Sequence, residues 1–117
     1  MPDDDPRHLT DHLWRWDLSG WHKCPLDPSI VDVSGLTADP LSADLYIIQG
    51  AGYPTVDPNR QRIHRLRPAG PDRYTAEVFA DHFGKLSFGG IAFSQAGRQM
   101  IFTDAGNYAI VILKRKQ

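Results

Sequence analysis

The chain has a single cysteine, Cys24, among 117 residues. No internal disulfide can form, and a small disulfide-stapled secreted scaffold is excluded. No apolar stretch approaches the ~20 residues that a helix needs to span a bilayer. The acidic start, Met1-Pro2-Asp3-Asp4-Asp5-Pro6, lacks the basic and apolar segments of a secretory signal. A cytoplasmic protein without membrane insertion is therefore the expectation. Net charge is scarce as well: 13 Lys and Arg against 14 Asp and Glu leave −1, without the basic excess that marks a nucleic-acid binder. No segment repeats apolar residues at i, i+3 and i+4, so no long helix is expected. His8, His12, His22, His64 and His82 show neither the i, i+4 nor the His-x-His spacing of a metal site. Ser87 sits in no Gly-x-Ser-x-Gly elbow, and the glycines at 50 and 52 are followed by neither the lysine nor the helix of a phosphate loop.

What is present is β-strand material punctuated by glycine and proline. With 41% hydrophobic and 23% charged residues the chain has enough apolar matter for one core. Residues 1–11, with two prolines and five charged acids or bases but few apolar groups, read as a mobile acidic leader. Leu13-Trp14-Arg15-Trp16-Asp17 reads as a strand stopped by Ser19-Gly20. The two prolines at 25 and 28 make residues 21–28 a loop or an edge. Strands follow at 33–38, 44–49, 62–67, 73–79, 89–94, 99–104 and 109–115. Arg62-Ile63-His64-Arg65-Leu66-Arg67 alternates as if one face met water.

The strands also repeat. At a constant offset of 55 residues Gly35 falls on Gly90, Leu36 on Ile91, Leu45 on Met100 and Ile47 on Phe102, with eight extra residues in the loop at 50–59 of the first copy. A fixed-period match of this size is the mark of a repeat architecture, one repeat being a small antiparallel sheet. The middle strands, Leu45-Tyr46-Ile47-Ile48 and Met100-Ile101-Phe102, are apolar on both faces and so must be covered on both sides.

Gly90-Ile91-Ala92-Phe93-Ser94, the turn at Gly97, Met100-Ile101-Phe102-Thr103-Asp104-Ala105-Gly106-Asn107 and Ile110-Val111-Ile112-Leu113 resemble a blade of the NHL and gluconolactonase (senescence-marker-protein-like) six-bladed β-propellers. Ser34-Gly35-Leu36-Thr37-Ala38-Asp39-Pro40 is similar to the blade opening of the esterase-like phytase and SdiA-regulated propellers. The resemblance implies an all-β fold of two four-stranded antiparallel blades across 12–117, the strand at 12–17 supplying the outermost strand of the second. Two blades make an incomplete ring, since propellers use about four to eight. It also implies open blade faces, hence a homo-oligomer such as a trimer, or other protein subunits. A small closed β-barrel or sandwich is the alternative fold.

Function follows from the same resemblance along three lines. An interaction module that completes a larger assembly through its blade faces needs no cofactor. A lactonase or esterase-type hydrolase would hold Ca²⁺ or Mg²⁺ in a channel, with Asp104 and Asn107 as candidate oxygen ligands. Gly89 and Ser34, however, stand where that group has an amide and an acid, and capping a tight turn is the ordinary use of Asp104 and Asn107. A lectin-like binder would stack a ligand on Trp14 and Trp16, which share one face of a strand, assisted by Tyr53, Asp57 and Asn59 of the loop at 50–59. Packing is the ordinary use of such tryptophans.

Overall fold

The computed structural model describes residues 13–30, 33–50, 61–81, 88–104 and 109–115. The leader at 1–11 and the loop residues 51–60 lie outside them. Nine strands run in chain order: β1 (Leu13–Asp17), β2 (Gly20–Cys24), β3 (Val33–Ala38), β4 (Leu45–Gln49), β5 (Arg62–Gly70), β6 (Arg73–Ala80), β7 (Phe88–Phe93), β8 (Gln99–Asp104) and β9 (Ala109–Lys114). One 3-10 turn, Gln95–Gly97, joins β7 to β8, and the described residues contain no α-helix. The strands form antiparallel sheets in the orders β1-β2, β3-β4-β5-β6 and β7-β8-β9, none of them closed into a barrel.

The repeat is present in the ladders. Leu36 lies opposite Ile47 and Ala38 opposite Leu45, as Ile91 lies opposite Phe102 and Phe93 opposite Met100. A bulge interrupts both ladders at the same place, after Val33 and after Phe88. The connecting turns match too. Asp39 N donates to Asp44 O at 3.0 Å and Ser42 N to Asp39 O at 3.3 Å, while Ser94 N donates to Gln99 O and Gly97 N to Ser94 O, both at 2.8 Å. From the third strand the offset becomes 47: Leu66, Arg65, His64 and Ile63 face β4 where Leu113, Ile112, Val111 and Ile110 face β8. The eight extra residues have thus left the pairing untouched.

Call the side of the four-stranded sheet that carries Tyr46, Ile48 and Ile63 its front. These residues are buried against Met100 and Phe102 of the three-stranded sheet, with Ile91, Phe93, Val111 and Leu113 around them. On the back, Ile47 and Leu66 pack with Ile30, flanked by Leu13, Leu26, Leu45 and Tyr74. Ile47 and Phe102 are repeat equivalents, so the two sheets stack front to back, like with unlike. A sandwich about a two-fold axis would bring equivalent faces together. The innermost strands β3 and β7 come closest, and a Cβ on Gly35 would lie 3.3 Å from Ile91 Cγ2.

Two expectations are corrected, and a third is narrowed from loop or edge to an edge strand. The sheets hold four, three and two strands rather than four and four, because β1 pairs with β2 along its length, Leu13 to Cys24 and Asp17 to Gly20. Residues 21–24, expected as loop or edge, form that partner strand. The hairpin is local: Gly20 adopts φ 116°, Asp17 Oδ1 accepts from Ser19 N at 2.8 Å, and closing a turn this short costs little entropy compared with reaching β9 from the other end of the chain. Arg15 then fastens the hairpin to the β5–β6 turn through both oxygens of Asp72. Finally, the first half of β5 does not face water. Ile63, His64 and Leu66 are all buried, since each face of the sheet has its own cover.

Candidate functional site

The front of the three-stranded sheet is the surface that the repeat singles out. By the offsets above, Ile101 and Thr103 stand where Tyr46 and Ile48 stand, and Ile110 and Ile112 where Ile63 and Arg65 stand. Ile63 is completely buried, whereas Ile110 is 68% and Ile112 50% exposed. Ala92 and Thr103 beside them are exposed and Ile101 is half-buried. What the three-stranded sheet does for the four-stranded one, nothing among the described residues does for the three-stranded sheet. Gly90 repeats the contrast: its counterpart Gly35 presses on Ile91, but a Cβ on Gly90 would meet nothing within 4 Å. Edge strand β9 likewise pairs only with β8 among the described residues.

The tryptophans lie on the β1-β2 hairpin. Trp14 pairs with Lys23, whose Nζ stands 5.8 Å from the ring centroid, and Trp16 pairs with Trp21, the two being 60% and 47% exposed. Strand alternation puts all four side chains on one face, with Trp14 half-buried. Asp104 ends β8 between Phe88 and Ala109. Asn107, Tyr53, Asp57 and Asn59 lie outside the described residues, among which no cluster of three or more His, Cys, Asp and Glu suits a metal.

Two polar groups escape the sequence reading. At the β1–β2 turn Ser19 Oγ lies 2.6 Å from Asp17 Oδ1 and 2.9 Å from His22 Nε2, itself 3.1 Å from the same Asp17 oxygen. This is not a nucleophile relay. Serine and aspartate meet the same ring nitrogen, and the hydroxyl proton goes to the carboxylate, whereas a triad needs opposite nitrogens. The second group is buried. His64 Nε2 donates to Gln49 Oε1 at 3.1 Å, both residues being 3% exposed. Burial, reinforced by the charge of Arg62 and opposed by Asp27, lowers the His64 pKa.

A histidine held neutral by the fold binds fewer protons folded than unfolded near its ordinary pKa. Stability from His64 is therefore complete above the unfolded value of about 6.5 and is lost as pH falls through it toward the lowered folded value. Thermal melts should show a larger fall in Tm on acidification for the wild type than for His64→Gln. Parallel pH profiles would contradict this.

No helix among the described residues is long and apolar enough to cross a membrane. In comparisons with known proteins, no family model matches the chain, and no curated protein matches it.

Proposed function

We propose that the chain is a non-catalytic, propeller-like interaction module that completes a larger assembly by stacking the front of its three-stranded sheet on the back of another sheet. The observation that carries this reading is the exposure of Ile110 and Ile112 at positions whose counterparts Ile63 and Arg65 face a packed neighbouring sheet. An apolar sheet face rimmed by polar groups is a contact surface by its chemistry. The complementary surface resembles the face that already fills this role within the chain, a row like Met100, Phe102, Val111 and Leu113. In a homo-oligomer, a ring of three included, the next protomer meets this face with the Leu13, Leu26 and Ile30 layer that covers the back of its four-stranded sheet.

The test is mass in solution. Light scattering should give more than one protomer for the wild type. The double variant Ile110→Asp, Ile112→Asp should shift it to a single protomer, weakening association by at least about tenfold, some 1.4 kcal/mol. Its circular dichroism spectrum should remain that of the folded protein, because both side chains are exposed on the single chain. A wild type that is monomeric at every concentration would remove self-assembly.

A further inference from the structure

An open cavity of about 360 Å³ lies between the two sheets at the end that carries the Gln95–Gly97 turn, within the range of small-molecule sites. Its walls are aromatic. Tyr46 sits edge-on to Phe79 of the four-stranded sheet, centroids 5.1 Å apart at 86°, and to Phe93 of the three-stranded sheet, 5.3 Å apart at 69°. Leu113 and Met100 complete the apolar lining.

Its rim is cationic. Arg65, Arg98, Lys114 and Arg115 all border the cavity. Two of the four are already neutralised: Arg65 pairs with Glu77 and Arg115 with Asp39, 2.7 Å apart. These pairs also have structural work. Arg65 lies 6.0 Å from the Phe79 ring centroid, and Arg115 ties the two repeat turns together by donating to Gly97 O at 3.0 Å as well as to Asp39. Arg98 and Lys114 have no carboxylate partner among the described residues, but strand alternation puts the Lys114 side chain on the exposed front with Ile110 and Ile112. The cavity thus couples aromatic walls to one positive charge left over, that of Arg98.

We infer that this cleft binds a small anion carrying a flat aromatic ring, the ring between Phe79 and the Phe93–Leu113 side and its carboxylate or phosphate on Arg98. The walls supply ring contact of the kind aromatic side chains favour, and the leftover guanidinium supplies charge-assisted hydrogen bonds that a neutral ring does not earn. The inference stands apart from the assembly reading, since the cleft lies between the two sheets and not on the exposed front.

Ligand-observed NMR or equilibrium dialysis with naphthoate, against its neutral analogue naphthylmethanol, tests it on the full chain. Naphthoate should bind saturably, and both naphthylmethanol and the Arg98→Gln variant should show binding weaker by about tenfold or more, as loss of a charge-assisted contact predicts. Phe79→Ala should weaken naphthoate as well, whereas Ile110→Asp, Ile112→Asp should retain it. A tighter complex with naphthyl phosphate would assign the headgroup as phosphate, and a looser one as carboxylate. Absence of saturable binding, equal binding of naphthylmethanol, an unaffected Arg98→Gln variant, or loss of binding in the Ile110→Asp, Ile112→Asp protein would overturn the inference.

Discussion

Replacing Phe102 with aspartate should leave no cooperative thermal transition. Phe102 is 1% exposed and packs at the centre of the cluster that joins the two larger sheets, against Tyr46, Ile48, Ile63 and Met100. Removing a buried phenyl group costs about 3–5 kcal/mol on its own. The new carboxylate must in addition either stay charged without a partner or bind a proton in an apolar site, a penalty of several further kcal/mol. Against a total stability of about 5–15 kcal/mol for a domain, the sum is enough to unfold the chain. Circular dichroism on heating reads this directly, and Phe102→Leu, which keeps most of the apolar volume, should melt cooperatively at reduced temperature. If the aspartate variant melted as the wild type does, the stacked-sheet core would not be what holds the chain together.

Gly97→Val is the second large effect, and it acts through the turn rather than the core. Gly97 is buried with φ +69°, and a Cβ there would lie 2.8 Å from Pro40 Cγ and 3.0 Å from Leu41 Cγ. A left-handed backbone costs a residue with a Cβ about 1–2 kcal/mol, and more for a β-branched one. Forcing extra atoms into a filled site adds about 1–3 kcal/mol. Neither neighbour can yield cheaply, because Pro40 is a rigid ring and the Asp39 turn that carries it is fixed by Leu41 N and by Arg115. Burial of Asp39 opposes its charge, but hydrogen bonds from Arg115, Leu41 and Ser42 outweigh that and hold its carboxyl below the usual range. We expect a loss of about 2–5 kcal/mol by urea melting from these two costs together. Gly90→Ala, with φ outside the left-handed region and nothing within 4 Å of its Cβ, should cost far less. Equal losses at the two glycines would refute the argument from close approach.

Most of the strand pattern was legible because local and long-range signals agree. The 55-residue match fixed the pairing of β3 with β4 and of β7 with β8, and the double-sided apolar character of Tyr46 to Ile48 foretold cover on both faces, which the two clusters supply. The β1-β2 hairpin is only half legible, because Pro25 and Pro28, which leave loop or edge open for 21–28, follow the edge strand and do not interrupt it. Its real signal was the tight Ser19-Gly20 turn with aromatic residues on either side, Trp16 and Trp21. His64 was misread because Arg62, Arg65 and Arg67 suggest a wet face, yet Arg62 and Arg65 are half-buried and only Arg67 is exposed. The cleft had no signature along the chain at all. Arg65, Phe79, Phe93 and Arg98 belong to separate strands and turns, and only stacking of the sheets brings them to one cavity. The front of the three-stranded sheet was readable in principle, by carrying the 47-residue offset to β9 and comparing Ile63 with Ile110.

That shorter offset has a practical side. The corner between β4 and β5 took in eight residues while every cross-strand partner from Leu45–Leu66 to Gln49–Arg62 kept its counterpart in the second repeat. Closure entropy grows only slowly with length, so pairing is indifferent to what is spliced there. An epitope tag or a foreign recognition peptide set into this corner would travel as cargo, and the site offers a handle for display that leaves both stacked sheets as they are.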